Sequence, residues 1–303
     1  GPALSLPLYP CDNVDFQVTT YYSNICPNGA YQGYGAPKGN FAITMALAEL
    51  AEQLQIDQLE IIERNRVHEG QELKILGAIG EGKAPTSVPS AASCALEEIL
   101  RQGREMIQWS SPKPQNGDWH IGRGVAIIMQ KSGIPDIDQA NCMIKLESDG
   151  TFIVHSGGAD IGTGLDTVVT KLAAEVLHCP PQDVHVISGD TDHALFDKGA
   201  YASSGTCFSG NAARLAAENL REKILFHGAQ ILGEPVADVQ LATPGVVRGK
   251  KGEVSFGEIA HKGETGTGFG SLVGTGSYIT PDFAFPYGAN FAEVAVNTRT
   301  GEI

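Results

Sequence analysis

The sequence is short of positive charge. Its 303 residues carry 21 Lys and Arg against 35 Asp and Glu, a net charge of −14 with a pI near 4.9. A broad cationic surface is thereby excluded, so neither nucleic acid nor an anionic membrane is expected as a partner. A local anion site built from backbone amides is not excluded. No apolar run approaches the ~20 residues that cross a bilayer, and the N-terminus lacks the basic, apolar and small-residue succession of a secretory signal. Cysteine is scarce: Cys11, Cys26, Cys94, Cys142, Cys179 and Cys207. No two have the spacing of a zinc or iron–sulfur ligand pair, so no metal ligand is expected within the chain. The scattered thiols read as reduced residues of a cytoplasmic protein.

Glycine, by contrast, is plentiful at 37 residues. Asn40 to Gln55 reads as an amphipathic helix with Ile43, Leu47, Leu50 and Leu54 on one face. Asp57 is placed to cap a second helix, Gln58 to Arg66. Gly77 to Ser93 reads as a connector, Cys94 to Met106 as a third helix and Gly122 to Gln130 as a buried strand. The pattern changes near Ile134 to Ala140, which sets an expected division into 1–137 and 138–303. Beyond it, "CMIKLESDGTFIVHSGG" reads as a hairpin about Ser148-Asp149-Gly150. The helix that follows puts Leu165, Val168, Val169, Leu172 and Val176 on one face and stops before Pro180-Pro181. A strand, "DVHVIS", and a long helix, "GNAARLAAENLREKIL", come next, an order that belongs to an α+β fold. "ANFAEVAVNTRTGEI" reads as the first arm of a hairpin without its return. A lone arm leaves backbone unsatisfied, so the chain is expected to be a piece of a longer one.

Three expected helix starts are lined by small residues. "HSGGADIGTGLDT" begins at His155, "GAYQGYGAPKGN" at Gly29 and "DKGAYASSGTCFSGN" at Asp197. Each has two readings. Backbone amides, hydroxyls and a helix N-terminus can hold a phosphate or a polar ring edge, with a tyrosine as the wall of a flat pocket. Alternatively, the glycines simply permit a tight turn and close contact. None is a Walker loop or a G-x-G-x-x-G fingerprint. Together they suggest one extended, phosphate-bearing ligand wrapped by backbone. "ETGTGFGSLVGTGSY", from Glu264, reads as a surface or pocket-rim loop. His155, His185 and His193 read as structural, and Asp190 and Asp192 as a solvated turn.

These segments resemble the molybdenum hydroxylases of the xanthine dehydrogenase and aldehyde oxidase family. "AYQGYGAPKG" is similar to that family's A-[FY]-R-G-[FY]-G-x-P-Q segment and "GGADIGTGLDT" to its G-G-x-E-x-G-Q-G-x-x-T segment. "GAYASSGTCFSGNA" and "YGANFAEVAVNTRTGE" match a small-residue loop and a strand–turn of the same family. The similarity extends over essentially the whole chain and is strongest to bacterial xanthine and hypoxanthine oxidases.

The resemblance implies a truncated α+β molybdopterin-binding domain in two mixed α/β subdomains, and a molybdopterin cofactor, in bacteria often a cytosine dinucleotide. Backbone of Gln32 and Gly33 would lie beside the metal's oxo ligand, and Tyr34 would line the substrate pocket. Ile161, Gly162 and Thr163 would contact the cofactor. Ala202 would lie near the metal's sulfur or selenium ligand, with Ser203, Ser204, Gly205 and Thr206 around the pterin and phosphates. Gln32 stands where the family has arginine, Thr163 where it has glutamine, and Tyr34 where phenylalanine is commoner. Backbone contacts survive such changes; side-chain contacts need not.

The family's G-G-G-F-G-G segment would lie before Gly1, and its G-x-G-E segment, which carries the glutamate base, after Ile303. No catalytic residue is therefore expected in these 303 residues, which alone should neither turn over substrate nor retain cofactor. The parent is expected to hydroxylate an N-heterocycle such as hypoxanthine or xanthine with water as oxygen source. Its 2Fe-2S and FAD modules, with the rest of the molybdopterin domain, would be partners. Two rival readings are a non-catalytic cofactor-binding or assembly subunit, and a nucleotide-binding oxidoreductase module seated on the helix after Gly164.

Overall fold

A computed structural model describes residues 4–26, 29, 32–33, 35–78, 88–265 and 268–303. Tyr34 lies outside the described residues. The chain forms two compact units, one of residues 1–131 with 282–303 and the other of residues 132–281.

The first unit holds helices α1 (Ala36–Leu54), α2 (Gln58–Asn65) and α3 (Leu96–Met106) and strands β1 (Gln115–Asn116) and β2 (Trp119–Met129). Asp57 caps α2 as its position suggests, its carboxylate accepting from the amides of Leu59 at 2.9 Å and Glu60 at 3.3 Å. The core gathers Leu59, Ile62, Leu73, Leu96 and Leu100 with Val125, Ile127 and Met129 of β2. β2 is thus one-sided, with Ile128 turned outward. The apolar face expected for α1 is only partly covered. Ile43 and Leu47 are half-buried and Leu50 and Leu54 exposed, whereas Ala36, Asn40 and Ala51 are the enclosed positions.

The second unit is built on the four-stranded sheet β5-β4-β3-β9. The expected hairpin is present as β3 (Ala140–Leu146) and β4 (Phe152–Ser156), closing Leu146 against Phe152. Helix α4 (Leu165–Leu177) crosses over to β5 (Val184–Ser188), which runs parallel to β4. The long helix α5 (Gly205–Leu232) follows, then the small sheet of β6 (Gln240–Ala242), β7 (Val246–Gly249) and β8 (Gly252–Ser255). Helix α6 (Phe256–Glu264) starts on a capping box of Ser255 and Glu258. Strand β9 (Val273–Tyr278) pairs antiparallel with β3.

That last pairing corrects the surface-loop expectation over Val273–Tyr278. The two glycines of the strand serve helix contact: a Cβ on Gly276 would stand 2.3 Å from the Ala212 carbonyl oxygen, and one on Gly274 2.3 Å from that of Ala216. Glycine at alternate strand positions, facing Ala212, Ala213, Ala216 and Ala217, lets α5 lie directly on the sheet.

The expected division at 137/138 also shifts. Strand β10 (Tyr287–Asn297) pairs with β2 from Tyr287↔Met129 to Asn297↔Trp119 and so returns the C-terminal residues to the first unit. The arm read as lacking a partner has one, more than a hundred and fifty residues earlier in the sequence, as the Arg123–Glu293 ion pair across the two strands illustrates at |i−j| of 170. Local pattern carries no information about such a distant pairing. Among the described residues no helix is long and apolar enough to cross a membrane.

Candidate functional site

Two of the three small-residue helix starts, those of α4 and α5, lie in the second unit, and there they adjoin. β4 ends at Ser156 and leads into Gly157 and Gly158. A Cβ on Gly157 would stand 2.3 Å from the Leu195 carbonyl oxygen and 2.6 Å from Asp197 Cβ. One on Gly158 would stand 2.6 Å from Leu165 Cδ2 and 2.9 Å from Ser209 Oγ. Real Cβ atoms do not approach so closely, so both positions require glycine. The segment leading into α5 therefore lies on the loop leading into α4. Leu165, the first residue of α4, would lie 3.6 Å from a Cβ on Gly205, the first residue of α5.

The α4 start is filled from within. The Asp160 carboxylate accepts from the amides of Gly162 at 2.9 Å, Gly164 at 3.1 Å and Asp166 at 3.4 Å. Those bonds, the Gly162 amide foremost, hold the Asp160 carboxyl below the usual aspartate range. Gly162 at φ +95° and Gly164 at φ +75° provide the left-handed turns that aim these amides inward. The anion at this helix terminus is thus the protein's own side chain. A pyrophosphate seated on the α4 amides, as the nucleotide-binding rival requires, would have to displace that carboxylate. Ile161, Gly162 and Thr163 form the exposed crest, with the Ile161 side chain in solvent.

The α5 start is shaped differently. Asp197 accepts from the Gly199 amide and from Ser209 Oγ, both at 2.8 Å. Ser204 Oγ donates to the Gly199 carbonyl at 3.0 Å and gives α5 no side-chain cap, although Ser204 occupies the cap position. Between them Ala202 at φ +49° and Ser203 at φ +58° are consecutive left-handed residues with side chains. Each such residue costs about 1–2 kcal/mol, so surrounding contacts must impose the shape. Ser203 and Thr206 are exposed, Ala202 and Gly205 half-buried, and Ser204 buried.

This donor set suits the implied cofactor. Hydroxyls of Ser203 and Thr206, an α5 start without a side-chain cap and a small-residue crest make a surface suited to a large polar group bonded at many points. At α4, donors other than the three amides committed to Asp160 would have to serve.

In the first unit, Gly33 at φ +73° accepts from the Ala36 amide at 3.1 Å, turning the chain into α1. A Cβ there would stand 3.4 Å from Gln130 Nε2. Gln32 is exposed beside it. Gln130 was not singled out from the sequence, and nothing in its local pattern marks it. Asp160 could have been found, because Asp before a glycine-rich turn is a common side-chain-to-backbone bonding signal.

Two of the histidines and the acidic turn make local contacts. His193 Nδ1 lies 2.9 Å from Asp190 Oδ2, its ring stacks on His155, and Asp190 accepts from the Asp192 amide at 2.9 Å. The thiols divide: Cys94, Cys142 and Cys179 are buried, Cys11 and Cys26 exposed. Burial pushes Cys142 up to about 12, and burial with the charge of Asp183 pushes Cys179 up to about 11. Neither is poised as a nucleophile.

Two family models, each described as "Molybdopterin cofactor-binding domain", match residues 102–303 and 3–66. "Probable hypoxanthine oxidase XdhD" of Escherichia coli (strain K12) is 99% identical over all 303 residues, which span 32% of that protein. "Xanthine dehydrogenase molybdenum-binding subunit" of Escherichia coli O157:H7 is 34% identical over 241 residues, 77% of this chain and 31% of that protein. Among solved structures, quinoline 2-oxidoreductase from Pseudomonas putida 86 superposes with a TM-score of 0.66 at 23% identity, covering 91% of this chain and 37% of its own. CO dehydrogenase from Oligotropha carboxidovorans does so with a TM-score of 0.67 at 18% identity, covering 86% and 34%. These two likenesses establish the fold.

Proposed function

Because this chain belongs to the molybdopterin cofactor-binding domain family, we propose that it forms about a third of a molybdenum hydroxylase acting on an N-heterocycle such as hypoxanthine or xanthine, with water as the oxygen source. When bound, the molybdenum cofactor supplies the two-electron redox chemistry that such a hydroxylation needs. The observation that supports the reading is the contact of the two loops at Gly157, Gly158, Leu195, Asp197 and Ser209; in this reading Ile161–Thr163 and Ala202–Thr206 then serve one cofactor.

In this reading the chain's own residues bind and orient. Ile161, Gly162 and Thr163 present a crest fixed by Asp160. Ala202 and Gly205 leave room for the cofactor, Ser203 and Thr206 supply hydroxyls to its polar edge, and buried Ser204 holds the loop through its bond to Gly199. Gln32 and Gly33 contribute backbone, and Tyr34 lines the substrate pocket. The glutamate base belongs to the parent outside residues 1–303, so these residues alone bind weakly and catalyse nothing. A cytosine dinucleotide form of the cofactor, 2Fe-2S and FAD modules as partners, a place in purine metabolism and a cytoplasmic location complete the proposal.

The test is metal and pterin analysis of the purified full-length protein, followed by hypoxanthine or xanthine turnover in ¹⁸O-water. Molybdenum with pterin, and label in the hydroxylated product, is the expected result. A full-length protein isolated without molybdenum, and not activated by supplying the cofactor, overturns the reading.

A further inference from the structure

We infer that Asp138 and Tyr201 form a clasp that imposes the left-handed shape of Ala202–Ser203, so that Asp138 is a positioning residue acting through Tyr201. The inference rests on the proposed role of residues 202–206 as cofactor contacts.

Asp138 is only 1% exposed, and a carboxylate so enclosed must have its oxygens satisfied. One oxygen accepts from the Ile134 amide at 2.7 Å, and the other accepts the hydroxyl hydrogen of Tyr201. The loop carrying Asp138 is itself fixed. The Asp136 amide donates to the Thr280 carbonyl at 3.0 Å. Gly133, at φ +75°, lies so close to Phe208 of α5 that a Cβ there would stand 2.1 Å from the ring.

From this platform two bonds reach the strained turn at successive residues. Asp138 takes the Tyr201 hydroxyl, and the Gly133 amide donates to the Ala202 carbonyl at 2.8 Å. On the far side the Ser204 amide closes back on the Tyr201 carbonyl at 3.0 Å. The backbone at 202 and 203 is therefore determined from before, within and after, as a disfavoured conformation requires if it is to persist without a ligand. Tyr201 as a whole is 39% exposed, while its hydroxyl reaches inward to the enclosed Asp138. The loop is shaped before the cofactor arrives, which lowers the ordering cost of binding.

The test uses the full-length protein with Tyr201→Phe, which keeps the ring and removes the donor. In protein stripped of cofactor, amide exchange at Gly133 and Ser204 should quicken about tenfold, the effect of losing one charge-assisted hydrogen bond, with β6–β8 unchanged. Pterin retained per folded molecule should fall by a similar factor. In a background carrying Ala202→Gly and Ser203→Gly, where left-handed φ carries little strain, the same substitution should reduce retention by no more than about twofold.

A merely stabilising hydroxyl would give equal losses in both backgrounds, and that outcome overturns the inference, as does unchanged exchange at Gly133 and Ser204. Quickened exchange with unaltered retention upholds the clasp and defeats the cofactor reading of the loop. If Tyr201→Phe does not fold, the stripped wild-type protein decides: slow exchange at both amides supports the clasp and fast exchange overturns it.

Discussion

Ile144, Leu146, Phe152 and Val154 in the second unit are wholly enclosed between sheet and helices, whereas Phe41, Met45 and Leu54 on α1 of the first unit stand largely in solvent. Residues 11–26 of the first unit are exposed throughout and form no regular structure, with Phe16, Val18 and Tyr22 bare. The second unit closes its core with its own residues. Its two small-residue loops are likewise held by its own carboxylates, Asp138, Asp160 and Asp197. In the first unit Gly33 is held by a local turn alone among the bonds described there. The difference teaches that strained backbone persists where side chains with buried anchors reach it.

The contrast breaks most readily at Phe152, fully buried and edge-to-face with Phe256 at 5.7 Å. Phe152→Ala should destabilise the second unit by about 3–5 kcal/mol in urea unfolding. A loss below ~1 kcal/mol would mean that this core is less closed than described. Gly276→Ala comes next. The new methyl meets backbone of α5 that cannot step aside, so a cost of about 2–3 kcal/mol is expected by the same measurement.

A smaller, local effect concerns pH. The folded-state pKa of Asp160 is depressed, so its ordering of the α4 start is complete above the ordinary aspartate range, about pH 4, and is lost as pH falls through the lower folded value. Amide exchange, corrected for its intrinsic pH dependence, should show protection at Gly162 and Gly164 failing in that window. Asp160→Asn should show reduced protection at neutral pH. Last, Phe41→Ser should change unfolding free energy by no more than about 0.5 kcal/mol in the 303-residue chain. A cost of several kcal/mol would erase the contrast between the units.

Features set by neighbours in sequence were legible without coordinates. The β3–β4 hairpin follows from alternation around Asp149-Gly150, α2 from its Asp57 cap, and α5 from a long alanine-rich helical pattern. The two small-residue starts of α4 and α5 were found as motifs, and the segments leading into them adjoin. The third cannot be added on these grounds, because Gln32 and Gly33 belong to the other unit.

What stayed hidden depends on distant partners. β10 returns to β2, β9 lies under α5, and the side of α1 that is enclosed depends on what the rest of its unit places there. The occupant of the α4 amides was hidden for another reason. Asp160 reads as one acid among many until the turn brings its carboxylate onto the helix axis.

The central claim is that Ile161–Thr163 and Ala202–Thr206 act as one cofactor-bearing surface. Hydrogen exchange of the full-length protein, loaded and stripped of molybdopterin, tests it most directly. Slowed exchange in both segments together on loading is the expected result. Unchanged exchange in both, with protection appearing only elsewhere, would contradict it.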